Sequence, residues 1–411
     1  MSTFMAASSR EGKQLHDAVF QFGQAAQAAM AAYGRDRVVN ATVGCYAGED
    51  EVLGCLPVVE EIYRALPMAD FITYAPPIGL ADYRKAAIDE TFEAYRPEGY
   101  IDAVATAGGT GAIHIAIANY SEIGDDVLAS DWRWGIYGSL CQEIGRRLTT
   151  FALLDESGAF NIESFSSAVA DVLRKQDSLL IILNTPANNP TGFALSDQDW
   201  AEVLQVCRFH EKQGKRVSIL VDIAYIAYAG EKNEVRTFMK QFSNLPPHLF
   251  VMVAFSMSKG YTLYGQRAGA LVGVSSSEDV IKEFAELGRY SARTSWSNVN
   301  RAAMTLLTTI RGDAALTKRL DEERMEFFRI IQKRASLFTE EAAQCGLHVI
   351  PYHAGFFISI PAANPQAVCE ALQDELVFAA PLALGVRLGV CSVPLPKIKG
   401  LAAKIKKAVD K

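Results

Sequence analysis

The chain has 411 residues, half of them apolar and 21% charged, with a formal net charge of −7. That length exceeds what a single hydrophobic core normally organises, so two structural units are expected, and the composition excludes a disordered or low-complexity chain. Acids and bases are interspersed, which offers no basic face to nucleic acid, and no apolar run reaches the span of a bilayer.

The start, MSTFMAASSREGKQ, lacks the charged head and continuous apolar stretch of a secretion signal, so neither export nor membrane insertion is expected and the location reads as cytoplasmic. Residues 14 to 33 have helical apolar spacing that stops at Gly34, and VVNATVGCYAGED then reads as a short strand and turn. The seven cysteines, 45, 55, 141, 207, 345, 369 and 391, are scattered without C-x-x-C spacing. They read as reduced packing residues, and no metal site is expected.

From about residue 100, short apolar runs alternate with longer amphipathic ones: IDAVATAGG, DDVLASD, RLTTFALL, SLLIILNTP, VSILVDIAY, LFVMVAFSMS and AGALVGVS. This alternation predicts an α/β fold, a mostly parallel sheet covered by helices on both faces. Residues 277 to 345 read as long and helical, linking to a smaller α+β unit. That unit has strands at LHVIP, FFISIP and VRLGVCSVP, a helix at PQAVCEALQDEL and a closing helix at PKIKGLAAKIKKAVDK.

Ligands of such sheets bind beyond the carboxyl ends of the strands, where the polar clusters of this sequence fall. Gly108, Gly109, Thr110 and Gly111 stand between a strand and a helix, either as an anion cradle or as a tight turn. The loop NTPANNPTG presents Asn188 and Asn189 or simply turns the chain, and Asp222 ends an apolar strand where a carboxylate needs a partner. In SMSKGYTLYGQRAG, Lys259 sits among Ser256, Ser258 and Arg267 directly after an apolar run, a grouping that suggests a phosphate.

These segments, with CLPVVEE, TYAPPIG, ARTSWSN and GVRLGVCSVP, resemble in order and spacing the class I aminotransferases of the aspartate and aromatic branch, fold-type-I enzymes dependent on pyridoxal 5′-phosphate. The resemblance implies a large cofactor-binding domain over residues 51–315, built on a mostly parallel seven-stranded sheet between helices. A smaller domain would comprise 1–50 and 316–411. It implies that Lys259 links to the cofactor aldehyde and shuttles a proton, that Asp222 pairs with the pyridine nitrogen, and that Tyr225 and Asn189 bond the ring oxygen. Gly109, Thr110, Ser256, Ser258 and Arg267 would hold the phosphate, and Trp134 would stack on the ring unless it is a core aromatic. Tyr74 would reach the phosphate from a neighbouring subunit, so a homodimer with shared sites is expected. Arg387 would grip the substrate α-carboxylate, helped by Gly44 and Asn189, and Arg293 would cross the dimer to a side-chain carboxylate or else pair on the surface. Two departures stand out: Tyr137 occupies a position where the family often has histidine, and ASDWRW lacks the usual proline.

The expected activity is amino-group exchange between an acidic or aromatic L-amino acid and 2-oxoglutarate by a ping-pong route. Two alternatives stay open: a β-eliminating lyase on the same cofactor, and a ligand-sensing regulator, for which no helix-turn-helix pattern is found.

Overall fold

The computed structural model describes residues 5–14 and 18–411. Its strands are Val39–Asn40 (β1), Tyr100–Ala107 (β2), Asp126–Ser130 (β3), Arg147–Phe151 (β4), Ser178–Asn184 (β5), Arg216–Asp222 (β6), Leu249–Ser256 (β7), Ala268–Ser275 (β8), Phe357–Pro361 (β9), Val377–Phe378 (β10), Ala380–Pro381 (β11) and Gly385–Gly389 (β12). Among the described residues no helix is long and apolar enough to cross a membrane.

Seven strands form one sheet in the order β2-β8-β7-β6-β5-β3-β4, and β8 alone runs against its neighbours. Their residues are branched and apolar, and β7 and β8 are buried along their whole length, as strands covered on both faces must be. Successive side chains enter opposite layers: Leu179, Ile181 and Leu183 pack on one face, Leu180 and Ile182 on the other.

A second core lies around the three-stranded antiparallel sheet β11-β12-β9. The parallel pair β1–β10, Val39 opposite Val377, ties the early chain to this C-terminal region. Residues 277 to 345 are helical as Glu278–Ser295, Arg301–Arg311 and Ala314–Cys345. At 1.5 Å per residue the last spans about 48 Å, burying Leu320 in the core of the large sheet and Ile331 and Phe338 in the second.

Several local expectations need correction. LHVIP forms no strand: the bond from Ile350 N–H to the Ser359 carbonyl ties it to β9, while Leu347 and Ile350 are buried by their side chains. The run VRLGVCSVP leaves its sheet at Gly389, whose N–H donates instead to the Ala41 carbonyl, and continues as the 3-10 turn Val390–Ser392. The closing helix is two helices, Leu395–Ile398 and Leu401–Val409, separated at Gly400 in the left-handed region (φ 79°). The first helix is Ala18–Tyr33; Gln14 is not helical, and residues 15–17 of that expectation lie outside the described residues.

Candidate active site

Because β3, β5, β6 and β7 are parallel, their carboxyl ends open on one edge of the sheet. The reversed β8 begins at that same edge, which is why Arg267, directly before it, joins the residues that follow the other strands. A cavity of about 610 Å³ lies there, lined by Gly44, Gly109, Thr110, Trp134, Asn189, Asp222, Tyr225, Ser256, Ser258, Lys259, Arg267 and Arg387. Twelve residues expected from separate motifs thus meet in one place.

The anion cradle is made by the turn into the helix Gly108–Asn119 and by the start of the short helix Met257–Gly260. Gly108 adopts φ 69°, and a Cβ there would stand 2.9 Å from Nη2 of Arg267. Arg267 is itself left-handed (φ 51°), a conformation unfavourable for a side-chain-bearing residue that holds its guanidinium over the turn. Its Nη1 donates to Ser258 Oγ (3.3 Å) and to the Tyr264 carbonyl (2.9 Å), and Ser256 Oγ caps the helix by accepting from Ser258 N–H. N–H groups at the start of a helix, hydroxyls and a guanidinium together suit an anion.

Lys259 Nζ donates to the Gly44 carbonyl at 2.5 Å and lies 4.7 Å from the ring centroid of Tyr264 and 5.6 Å from that of Tyr225. Burial lowers its pKa, and Arg387 and Arg267 add to the effect while the Cys45 and Cys391 thiols oppose it. A larger neutral fraction makes the amine a better nucleophile and proton acceptor. Gly44, expected beside a substrate carboxylate, lines the cavity, and its carbonyl accepts from the amine.

Asp222 is buried at the end of β6, and burial raises its pKa; two hydrogen bonds oppose that, from Tyr137 Oη to Oδ2 (2.6 Å) and from Ala224 N–H to Oδ1 (3.1 Å). Tyr137, pushed well above its ordinary pKa by burial and by Asp222, stays a hydroxyl donor. Its ring meets that of Trp134 edge-on, centroids 5.6 Å apart. Trp134 is only partly buried and faces the cavity, whereas Trp132 is the core aromatic.

Asn184, opposite Asp222 in the β5–β6 register, organises the Asn loop: its amide donates to the Asp222 carbonyl (2.8 Å) and its Oδ1 accepts from Asn189 N–H (2.6 Å). Asn189 then donates through Nδ2 to Tyr225 Oη (3.3 Å) and accepts through Oδ1 from Arg387 Nη1 (3.2 Å). Arg387, buried on β12, also donates to the Thr42 carbonyl (3.1 Å) and lies 4.3 Å from the Phe357 ring centroid. The guanidinium is thereby fixed in plane, as bidentate carboxylate binding requires.

Two expected residues are not brought to the cavity. Tyr74 is 84% exposed, and Arg293, near the end of the helix Glu278–Ser295, is exposed with Nη1 bonded to Ser297 Oγ (2.6 Å). Sequence reasoning missed Tyr264, Asn184 and Arg133 as lining residues. All three stand inside quoted segments, Arg133 in ASDWRW, so their signal was present.

A family model described as aminotransferase class I and II matches residues 36–405. An aromatic-amino-acid aminotransferase from Pseudomonas aeruginosa is 28% identical over 284 residues, 67% of this chain and 68% of that protein. A cytoplasmic aspartate aminotransferase from Dictyostelium discoideum is 27% identical over 68% of this chain and 63% of its own length. Among solved structures, an aminotransferase from Anaerococcus prevotii covers 100% of both chains at 37% identity with a TM-score of 0.97.

Proposed function

The chain belongs to the class I and II aminotransferase family and is an aminotransferase, and from that premise we propose that it uses pyridoxal 5′-phosphate to exchange amino groups between an acidic or aromatic L-amino acid and 2-oxoglutarate. The exchange is ping-pong, in a cytoplasmic homodimer. The observation that carries this reading is one cavity in which the Lys259 amine, the buried Asp222 carboxylate and the fixed Arg387 fork converge from separate segments.

The residues present fit the cofactor. Gly109, Thr110, Ser256, Ser258 and Arg267 would hold its phosphate, Asp222 its ring nitrogen, Tyr225 and Asn189 its ring oxygen, and Trp134 a ring face. Gly108 leaves the phosphate cradle open where a Cβ would crowd Arg267. When bound, the cofactor supplies an aldehyde that takes up the amino group and a ring that draws electrons from the substrate Cα.

Lys259, its pKa lowered, accepts the Cα proton at Nζ and holds it for return. Arg387 orients the substrate by its α-carboxylate, so that the Cα–H bond is presented to that amine. Asp222 would offer its carboxylate to the ring nitrogen, with Tyr137 and Ala224 donating to it and favouring its charged form. The exposed Tyr74 and Arg293 act on the site of a second copy, and the large domain is 51–315, the small one 1–50 with 316–411. Exposed apolar side chains near Tyr74, among them Met68 and Ile72, agree with a covered face there.

Borohydride reduction of the cofactor-saturated protein followed by peptide mapping tests the reading. The expected adduct is at Lys259, and Lys259→Ala is expected to bind cofactor reversibly without transferring amino groups. An adduct elsewhere overturns the assignment. Release of ammonia and pyruvate with no keto-acid requirement would establish the lyase instead.

A further inference from the structure

Arg133 lines the cavity but has no part in the chemistry above. It lies in the turn after β3, between the buried Trp132 and the cavity-facing Trp134, and is itself partly buried. Nη1 donates to the Asp131 carbonyl at 3.1 Å, and the enclosed Nε has no hydrogen-bond partner among the described residues. The Asp131 carboxylate is engaged elsewhere, its Oδ1 accepting from the N–H groups of Trp132 (2.6 Å) and Leu153 (3.0 Å). Burial lowers the pKa of Arg133, and the nearby Asp131 and Cys141 only partly compensate. A guanidinium partly withdrawn from water, with no ion-paired carboxylate among the described residues, keeps part of that cost, which a bound anion would offset.

The charges of the cavity point to which anion. Its walls carry Arg133, Lys259, Arg267 and Arg387 against one carboxylate, Asp222. On the reading proposed above, on which this step rests, Arg267 would face a phosphate, Arg387 would face an α-carboxylate, and Lys259, its pKa lowered, serves as a proton acceptor. Arg133 is the cation left over on this chain's own walls. It also stands on a different element from the others: Arg133 follows β3, whereas Arg267 precedes β8 and Arg387 lies on β12. A substrate with an anion at each end matches this separation. We propose that Arg133 is a specificity-determining residue, an anion subsite within one chain that binds the side-chain carboxylate of dicarboxylic amino and keto acids. Its planar fork suits a carboxylate, and Ser139, on the helix Ile136–Glu143 that follows, adds a hydroxyl to the same wall.

The test uses cofactor-loaded wild type, Arg133→Gln, Arg133→Lys and Arg293→Gln. Calorimetry measures the Kd of glutarate, which carries two carboxylates and no amine, beside that of 3-phenylpropionate, and kcat/KM is measured with glutamate and with phenylalanine. Loss of a charge-assisted bond predicts that Arg133→Gln lowers the glutarate to phenylpropionate affinity ratio by about 10- to 100-fold. The kcat/KM ratio should fall in parallel, Arg133→Lys should recover part of both, and Arg293→Gln should change them less. A wild-type ratio in Arg133→Gln protein that retains the cofactor absorbance overturns the proposal, as does loss of the preference in Arg293→Gln alone. Binding is read without turnover, so absence of amino transfer by every variant would reject the activity while leaving the subsite measurable.

Discussion

Replacing Tyr137 by Phe removes one hydroxyl and keeps the ring that packs edge-on to Trp134. In the wild type this hydroxyl is 2.6 Å from Oδ2 of Asp222, leaving Ala224 N–H on Oδ1 as the other donor to the carboxylate. A hydrogen bond to a charged acceptor contributes about 1.5–3 kcal/mol net. At 1.36 kcal/mol per pKa unit, the Asp222 carboxyl should rise by about 1 to 2 units in Tyr137→Phe. The sign follows from which form is favoured: the donor stabilises the carboxylate, so its removal lets the carboxyl keep its proton to higher pH. Burial already raises this group, so the shift moves it toward the working pH. The acid limb of kcat/KM against pH should therefore move upward, and cofactor affinity should weaken on the acid side by a matching factor. A folded variant whose acid limb and cofactor affinity stay at the wild-type positions would show that Tyr137 is packing alone.

Gly108→Ala places a Cβ 2.9 Å from Arg267 Nη2 at a residue with φ 69°, so it should weaken phosphate-dependent cofactor binding. Titration of the apoprotein with cofactor checks this, with pyridoxal lacking its phosphate as the less affected control. Glu90 is buried; burial opposes its ionisation, but Arg324, Arg311 and Arg236 outweigh it and hold the carboxyl at about 2. Its folded pKa lies below the unfolded 4.5, so its stabilisation, about 3 kcal/mol, is present above pH 4.5 and lost as pH falls toward 2. Thermal unfolding between those pH values should show a fall in Tm that is shallower in Glu90→Gln, a variant already less stable at pH 7 because its arginines lose their counter-charge.

Strand periodicity alone determined the seven-stranded sheet, since residues buried on both faces must be continuously apolar and turns must interrupt them. The local motifs likewise carried Lys259, Asp222, Asn189 and Arg267, each at a strand end or turn, which is a property of neighbours in the chain, whereas Arg387, in the middle of β12, came through the resemblance. LHVIP misled because its apolar residues are buried by their side chains, Leu347 in the second core and Ile350 in that of the large sheet, while its backbone lacks a ladder. Tertiary structure decided the rest. Tyr137 meets Asp222 across 85 residues of chain, and Arg387 meets Asn189 across 198. Whether a side chain such as Arg133 faces a cavity or Arg293 faces solvent depends on which elements cover it. Burial and long-range hydrogen bonding are properties of the packed chain, and these set the charge states on which the chemistry depends.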